Sequence, residues 1–386
     1  DVAARPLPLP AVPADEAIEQ AASLLAKAQK PLILAGGGAK QAGEVLQPLA
    51  EFLQAPVALT TNARGLLPPE HPLLLDGVQS SKHGRALIDE ADVVLAIGTE
   101  LGETDYDFFA LGPISFKAPL IRLDIDPLQL ISIQRAEVCL LGDANAGLNA
   151  LMLALVDQAL QLSQDTNTLS EEFESALEAH VAQLEEREWG VLSVEQVNQQ
   201  EHASWTARGA AMQQVLDCIR DSLPEPVIVG DSTQPVYQGT LGYRAPTPAS
   251  WFNASTGFGT LGYALPSAIG AKLALAGRPV IALAGDGGLQ FTSSELISAK
   301  EAGIGVLLLI WNNQCYGEIR DYMAARDIPL LGVDIHTPDF SALAAAYQVP
   351  WQRARNLEEL AGLLKGLQDS QSPQVIELTA ADFLSA

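Results

Sequence analysis

Residues 279–313, PVIALAGDGGLQFTSSELISAKEAGIGVLLLIWNN, decide the fold. Pro279–Gly285 is a short apolar run of strand length, and Ile304–Trp311 is a second. Between them, Thr292-Ser293-Ser294-Glu295 has the pattern of a capping box, which predicts a helix running to about Ala302. Strand, helix and strand in that order form a β-α-β unit, whose crossover makes the two strands parallel neighbours. Asp286 and Asn313, 27 positions apart (313 − 286), then stand just past the carboxyl ends of adjacent strands. That edge is where open α/β sheets bind ligands. One carboxylate and one amide oxygen suit a hard divalent cation that also takes phosphate oxygens, the usual way of holding Mg²⁺. The glycines around Asp286 let backbone N–H groups approach a diphosphate closely.

This Gly285-Asp286-Gly287 … Asn312-Asn313 arrangement resembles the diphosphate-binding domain of thiamine-diphosphate enzymes of the acetolactate synthase and 2-oxo-acid decarboxylase superfamily. Ser255–Gly270, STGFGTLGYALPSAIG, is similar to the glycine-rich stretch that precedes that motif in the family. The resemblance implies a set of roles. Asp286 and Asn313 give side-chain ligands to Mg²⁺, and residue 315 gives a backbone carbonyl. The family commonly has Gly at that last position, whereas this chain has Cys315. Gly287 and Gly288 offer N–H groups to the diphosphate. Ser232 or Thr233 contacts it by a hydroxyl, the alternative being that they cap a helix. Gly257 and Gly259 count among the cofactor-binding residues, with the Gly259 carbonyl accepting from the 4′-amino group of the aminopyrimidine. The Leu261 N–H reaches the same ring, while its side chain is the apolar wedge that bends the cofactor. Tyr316 and Gly317 complete the cofactor-binding residues.

A competing reading exists. Gly257-x-Gly259-x-x-Gly262 is formally a dinucleotide fingerprint, and Asp286 lies 24 residues beyond its last Gly. That motif needs a strand directly before the first Gly and an acid at the end of the second strand. Trp251–Ala254 reads as too short for that strand, and an Asp flanked by glycines suits metal and phosphate better than ribose.

On the substrate side, Glu318 is the candidate catalytic residue beside Leu261. It falls one position before the place where yeast-type pyruvate decarboxylases carry a Glu; Ile319 occupies that place here. A carboxylate at 318 could meet the cationic tail of a guanidino or amino 2-oxo acid. The plain alternative is an exposed helix Glu near Arg320. The family's activating Glu belongs to an N-terminal pyrimidine domain, to which nothing in these residues corresponds. The expectation is therefore a fragment, inactive alone, whose pyrimidine domain comes from the same gene or a separate subunit. Its assembly is expected to be a homodimer or homotetramer. A non-catalytic nucleotide-binding or regulatory module of the same fold is the alternative function.

The expected fold class is α/β, with two doubly wound parallel-sheet domains joined by an acidic helical linker. Residues 1–13, rich in proline, read as a linker. Residues 14–160 read as a central Rossmann-like domain, 161–202 as the acidic helical segment, and 203–386 as the thiamine-diphosphate domain. Gly36-Gly37-Gly38 reads as a βα turn in preference to a phosphate cradle. Glu100, Glu103 and Asp105 stand where FAD-binding relatives carry an Arg-containing motif, which disfavours FAD. The net charge of −25 argues against nucleic acid and anionic membranes. No run is long enough to span a bilayer. Three cysteines without CxxC spacing fit a cytoplasmic protein with reduced thiols. The five histidines form no ligand pair and most read as surface residues.

Overall fold

The computed structural model describes residues 9–77, 80–162, 189–367 and 370–384. The chain divides into two compact units, Asp1–Glu201 and His202–Ala386. Each contains a six-stranded sheet in which every pairing is parallel. Residues 1–8 of the expected linker and 163–188 of the expected acidic helical segment lie outside the described residues.

The first sheet has strands β1 (Pro31–Ala35), β2 (Val57–Leu59), β3 (Leu74–Leu75), β4 (Val93–Ile97), β5 (Leu120–Asp124) and β6 (Val138–Leu141), ordered β3-β2-β1-β4-β5-β6. All residues of β1 and β4 are buried, as expected of strands covered by helices on both faces. Alternate residues serve the two faces. Ile33 and Leu95 join Ile18, Leu25, Leu148 and Leu151 from the helices Asp15–Lys27 and Ala144–Leu162. Leu32, Leu34 and Val94 join Leu87, Ile88 and Trp189 on the other face. Trp189 is fixed there by its indole N–H, which donates to the Pro31 carbonyl at 2.7 Å. The glycines after β1 are a turn built for close approach. Gly36 N–H donates to Ile97 O and Gly38 N–H to Gly98 O, and a Cβ on Gly36 would stand 2.3 Å from Gly98 O.

The second sheet has β7 (Val227–Gly230), β8 (Trp251–Asn253), β9 (Val280–Gly285), β10 (Leu307–Asn312), β11 (Trp351–Ala354) and β12 (Gln374–Thr379), ordered β11-β12-β10-β9-β7-β8. Ile281, Leu283, Leu307 and Leu309 pack on Leu216, Ile219, Leu360 and Leu364 from the helices Ala207–Ser222 and Leu357–Leu367. Ala282, Ala284, Leu308 and Ile310 pack on Leu265, Ala268 and Leu296. From β7 the chain moves outward to β8, then returns to β9 on the other side of β7. The order thus reverses between β7 and β9, and a crevice opens at their carboxyl ends.

Two local expectations are corrected. Thr292–Glu295 does not form a capping box. A box needs an extended N-cap residue, whereas Ser294, which precedes the helix Glu295–Glu301, is itself helical (φ −60°, ψ −22°) and makes no side-chain cap bond. The Thr292 hydroxyl instead donates to the Gly262 carbonyl at 3.0 Å. Trp251–Asn253 is a strand despite its length, because Trp251 is buried against Tyr243, with ring centroids 4.6 Å apart. The dinucleotide reading gains little from it. β8 is an edge strand paired with β7 alone, while Asp286 follows β9, two places away. Among the described residues, no helix is long and apolar enough to cross a membrane.

Candidate cofactor site

Parallel register brings the chemistry to one edge. Trp311 pairs with Gly285 across β10 and β9, so Asp286 and, one residue further along its strand, Asn313 leave the sheet at the same edge. Asp231 leaves β7 beside them. A cavity of about 250 Å³ lies there. Its lining includes Ser232, Thr233, Gly259, Leu261, Asp286, Gly287, Gly288, Asn313, Cys315, Tyr316, Gly317 and Glu318. Of the residues expected from sequence, only Gly257 is not among those lining it. Gly257 is exposed, in the turn after Ala254–Thr256, and its N–H is spent on the Ala254 carbonyl. The chain reaches the cavity wall from Gly259 onward.

Asp286 is 1 % exposed. Its Oδ2 accepts the Gln314 N–H at 2.8 Å. Burial outweighs that bond and the other backbone N–H groups, and pushes the carboxyl up to about 6. A buried carboxylate offset only by amide dipoles is a group that a divalent cation would relieve. Asn313 is oriented by its neighbour: Nδ2 donates to Gln234 Oε1 at 3.0 Å, and Oδ1 accepts the Cys315 N–H at 3.2 Å. Gln314 takes the left-handed conformation between them (φ 57°), and Cys315 does not, so a side chain at 315 is accommodated. Bonds from Tyr316 N–H to Val333 O (2.8 Å) and from Ile335 N–H to Gln314 O (3.1 Å) pin this turn without using the Cys315 carbonyl.

The donor set therefore fits a metal–diphosphate group: one carboxylate and two neutral oxygens beside glycines. Among the described residues, no three His, Cys, Asp or Glu side chains gather into a metal cluster; a site of this type does not need one. Side chains at the glycines would crowd their neighbours. A Cβ on Gly287 would stand 2.7 Å from Tyr316 Cε1, and one on Gly288 would stand 3.2 Å from Asp231 Oδ1.

Neither hydroxyl of Ser232-Thr233 caps the following helix, Gln234–Gly242. Ser232 Oγ donates to the Gly259 carbonyl at 3.0 Å. Thr233 is buried, and its Oγ1 would lie 3.0 Å from a Cβ on Gly285. Leu261 is half-buried in the wall. Glu318 is exposed in the first turn of the helix Gly317–Ala324 and faces the cavity. The nearby Arg320 pairs with Asp334 at 2.8 Å.

Sequence reasoning missed Tyr237 in the lining and the anchoring role of Gln234. Both belong to the helix Gln234–Gly242, three residues apart and therefore on one face; that spacing was the available signal. Burial raises the Tyr237 hydroxyl, and the Glu318 charge raises it further. His71 is likewise no surface residue. It is buried, its Nδ1 accepts the Leu73 N–H, and its Nε2 meets Glu51 at 3.0 Å.

Residues 229–378 match the family described as "Thiamine pyrophosphate enzyme, C-terminal TPP binding domain", and residues 18–151 match "Thiamine pyrophosphate enzyme, central domain". The chain belongs to the thiamine pyrophosphate enzyme family. Its second unit is the thiamine-diphosphate-binding domain of that family, and the cavity at the ends of β7, β9 and β10 lies within the matched residues. The thiamine pyrophosphate enzymes it resembles include a "Probable 2-ketoarginine decarboxylase" of Pseudomonas aeruginosa, 37% identical over 372 residues, covering 96% of this chain and 61% of the relative. A "Probable acetolactate synthase large subunit" of Methanocaldococcus jannaschii is 31% identical over 373 residues, covering 94% and 59%. A "Sulfoacetaldehyde acetyltransferase" of Castellaniella defragrans is 28% identical over 374 residues, covering 92% and 60%. The chain thus spans about three-fifths of the length of these curated relatives.

Proposed function

We propose that this chain provides the cofactor-holding part of a thiamine-diphosphate- and Mg²⁺-dependent enzyme acting on a 2-oxo acid with a cationic tail. The observation that carries the reading is the pairing of buried Asp286 with amide-oriented Asn313 at one sheet edge, beside glycines that leave room for a diphosphate. Asp286 Oδ, Asn313 Oδ1 and the Cys315 carbonyl would hold the metal. Gly287, Gly288, Ser232 and Thr233 would face the diphosphate. Leu261 and the Gly259 carbonyl would meet the ring end. Bound thiamine diphosphate would supply the carbanion-stabilising chemistry that lets a 2-oxo acid lose CO₂. The protein's own task is then to place the substrate and to exclude water.

Glu318 gives the substrate preference in this reading. It is an exposed carboxylate on the cavity wall, with Tyr237 beside it and no ion-pair partner among the described salt bridges. A guanidinium tail pairs with a carboxylate through two parallel hydrogen bonds. The relative named as a 2-ketoarginine decarboxylase supports this choice. Carboligation, as in relatives named acetolactate synthase, is the second reading, supported by the 31% identity to one of them. Turnover in either case requires an activating carboxylate from a pyrimidine domain in the same gene or in another subunit, within a homodimer or homotetramer.

The test is CO₂ release with thiamine diphosphate and Mg²⁺, from 2-oxo-5-guanidinopentanoate and from pyruvate. The 386-residue chain is assayed alone and together with a pyrimidine domain supplied in trans or by a longer reading frame. Release is expected only with that domain present, and with higher kcat/KM for the guanidino acid. Robust release by the chain alone would contradict the requirement for an outside carboxylate. Acetolactate formation from pyruvate with no turnover of the guanidino acid would favour the carboligase. Binding without turnover of either acid would favour a non-catalytic module.

A further inference from the structure

We propose that Asp231 is a positioning residue for the ring end of the cofactor cavity: its buried carboxylate holds the 259–264 loop so that Leu261 projects into the cavity. The inference rests on the thiamine-diphosphate reading and adds a residue to it.

Asp231 directly follows β7 and is 1 % exposed. The hydrogen bonds of its carboxylate go to the 259–264 loop and to Ser232, not to Asp286 or Asn313. Oδ1 accepts the N–H of Ser232 at 2.9 Å and of Gly262 at 3.2 Å; Oδ2 accepts the N–H of Gly262 at 3.0 Å and of Ala264 at 3.2 Å. One side chain therefore ties the end of a sheet strand to the residues that follow Leu261. The residues before Leu261 are tied by the next residue in sequence, since Ser232 Oγ donates to the Gly259 carbonyl. A third tie comes from Thr292 Oγ1 to the Gly262 carbonyl. Leu261 sits between these anchors.

The loop needs such anchoring. Gly259 (φ 65°) and Gly262 (φ 83°) bracket Leu261 in the left-handed region, where glycine is at ease but also free to leave. An apolar wedge imposes shape on a bent ligand only if its backbone does not yield. Leu261 also borders the glycines after β9: a Cβ on Gly288 would stand 3.2 Å from Asp231 Oδ1 and 3.5 Å from Leu261 Cδ2. Asp231 and Leu261 thus both border the space beside Gly288 in the glycine turn after β9.

A carboxylate suits this position and an amide does not. Both oxygens of Asp231 accept from backbone donors, and an acceptor-only group can do so at both ends. Asn at this position keeps the shape but turns an NH₂ toward N–H groups on one side. Asp231→Asn should therefore slacken the loop with little change in volume.

The experiment compares two probes on the 386-residue chain by calorimetry with Mg²⁺: thiamine diphosphate and inorganic pyrophosphate. Their affinity difference isolates the contribution of the thiamine rings. Asp231→Asn is expected to leave pyrophosphate affinity within about twofold and to lower thiamine diphosphate affinity about tenfold, the scale of a lost charge-assisted hydrogen bond. Leu261→Ala should cause a similar loss. The double variant should lose little more than the worse single one, because residues acting through one another are not additive. Thr292→Val, which removes one tie without touching a buried charge, should show a smaller loss of the same kind and serves where Asp231→Asn folds poorly. An unchanged ring contribution in both Asp231→Asn and Thr292→Val, equal losses for both probes, or full additivity with Leu261→Ala would overturn the proposal. Absence of Mg²⁺-dependent binding of either probe by the unaltered chain would instead overturn the functional reading, and this inference with it.

Discussion

Asp286 carries the most consequential single environment in the chain. Its carboxyl titrates near 6 when the metal is absent, against an ordinary value of 3.8. The folded-state value is raised, so the protonated form is favoured in the fold. The stabilisation it brings is fully present below about 4 and is lost as pH rises through about 6. Urea denaturation in chelator should therefore show a decline in stability across that window that Asp286→Asn removes. A bound cation needs the carboxylate, so Mg²⁺-dependent binding of thiamine diphosphate should weaken in the opposite sense, as pH falls through about 6. Asp286→Ala should abolish that binding at all pH values in calorimetry. Glu318→Ala should leave it unchanged if Glu318 has the substrate-side role proposed for it; a parallel loss would move Glu318 into the cofactor site.

At the scale of elements, the turns that end β1 and β9 are controlled by contact distances. Gly287→Ala directs a methyl at Tyr316 Cε1 and Ile335 Cδ1, side chains that can shift, so the chain should fold and lose diphosphate affinity. Gly36→Ala drives a methyl into the Gly98 carbonyl and the Thr99 backbone, which cannot shift cheaply. It should lower stability by about 2–4 kcal/mol, measured by thermal unfolding. Most of these elements were legible in sequence. Parallel strands covered on both faces read as unbroken apolar runs, which is why β9 and β10 were legible within a few residues of their observed ends. β8 was not legible as a strand, since three residues carry no periodicity and Trp251 is held by Tyr243 and Gly239 from another element. The capping box failed for a related reason: the chain enters that helix from an already helical residue, which a four-letter pattern cannot register. In the cavity, Asp286, Asn313 and the glycines were legible because a motif fixes them. Tyr237 and Gln234 were not, because only the direction of a helix face brings them there.

For the whole molecule, charge and an exposed face act against each other. Phe258 is fully exposed on the glycine-rich loop, and Phe291 is 64% exposed near it, beyond Gly262. Apolar side chains so placed favour association, and self-association of the chain is expected. A net charge of −25 resists it by repulsion that salt screens. Sedimentation should thus show larger species at high salt than at low salt, and Phe258→Ser should reduce them; dissociation by salt would point to a polar interface elsewhere. The metal-ligand set proposed at the ends of β9 and β10 has a thermodynamic consequence of its own. It contributes a single negative charge, too little to retain a strongly hydrated Mg²⁺ unaided, while the glycine turn offers a diphosphate only neutral dipoles. Each ligand is then the other's effector, and linkage makes their cooperation reciprocal. The factor by which Mg²⁺ tightens diphosphate must equal the factor by which diphosphate tightens Mg²⁺, so two independent titrations of the same chain should return one number.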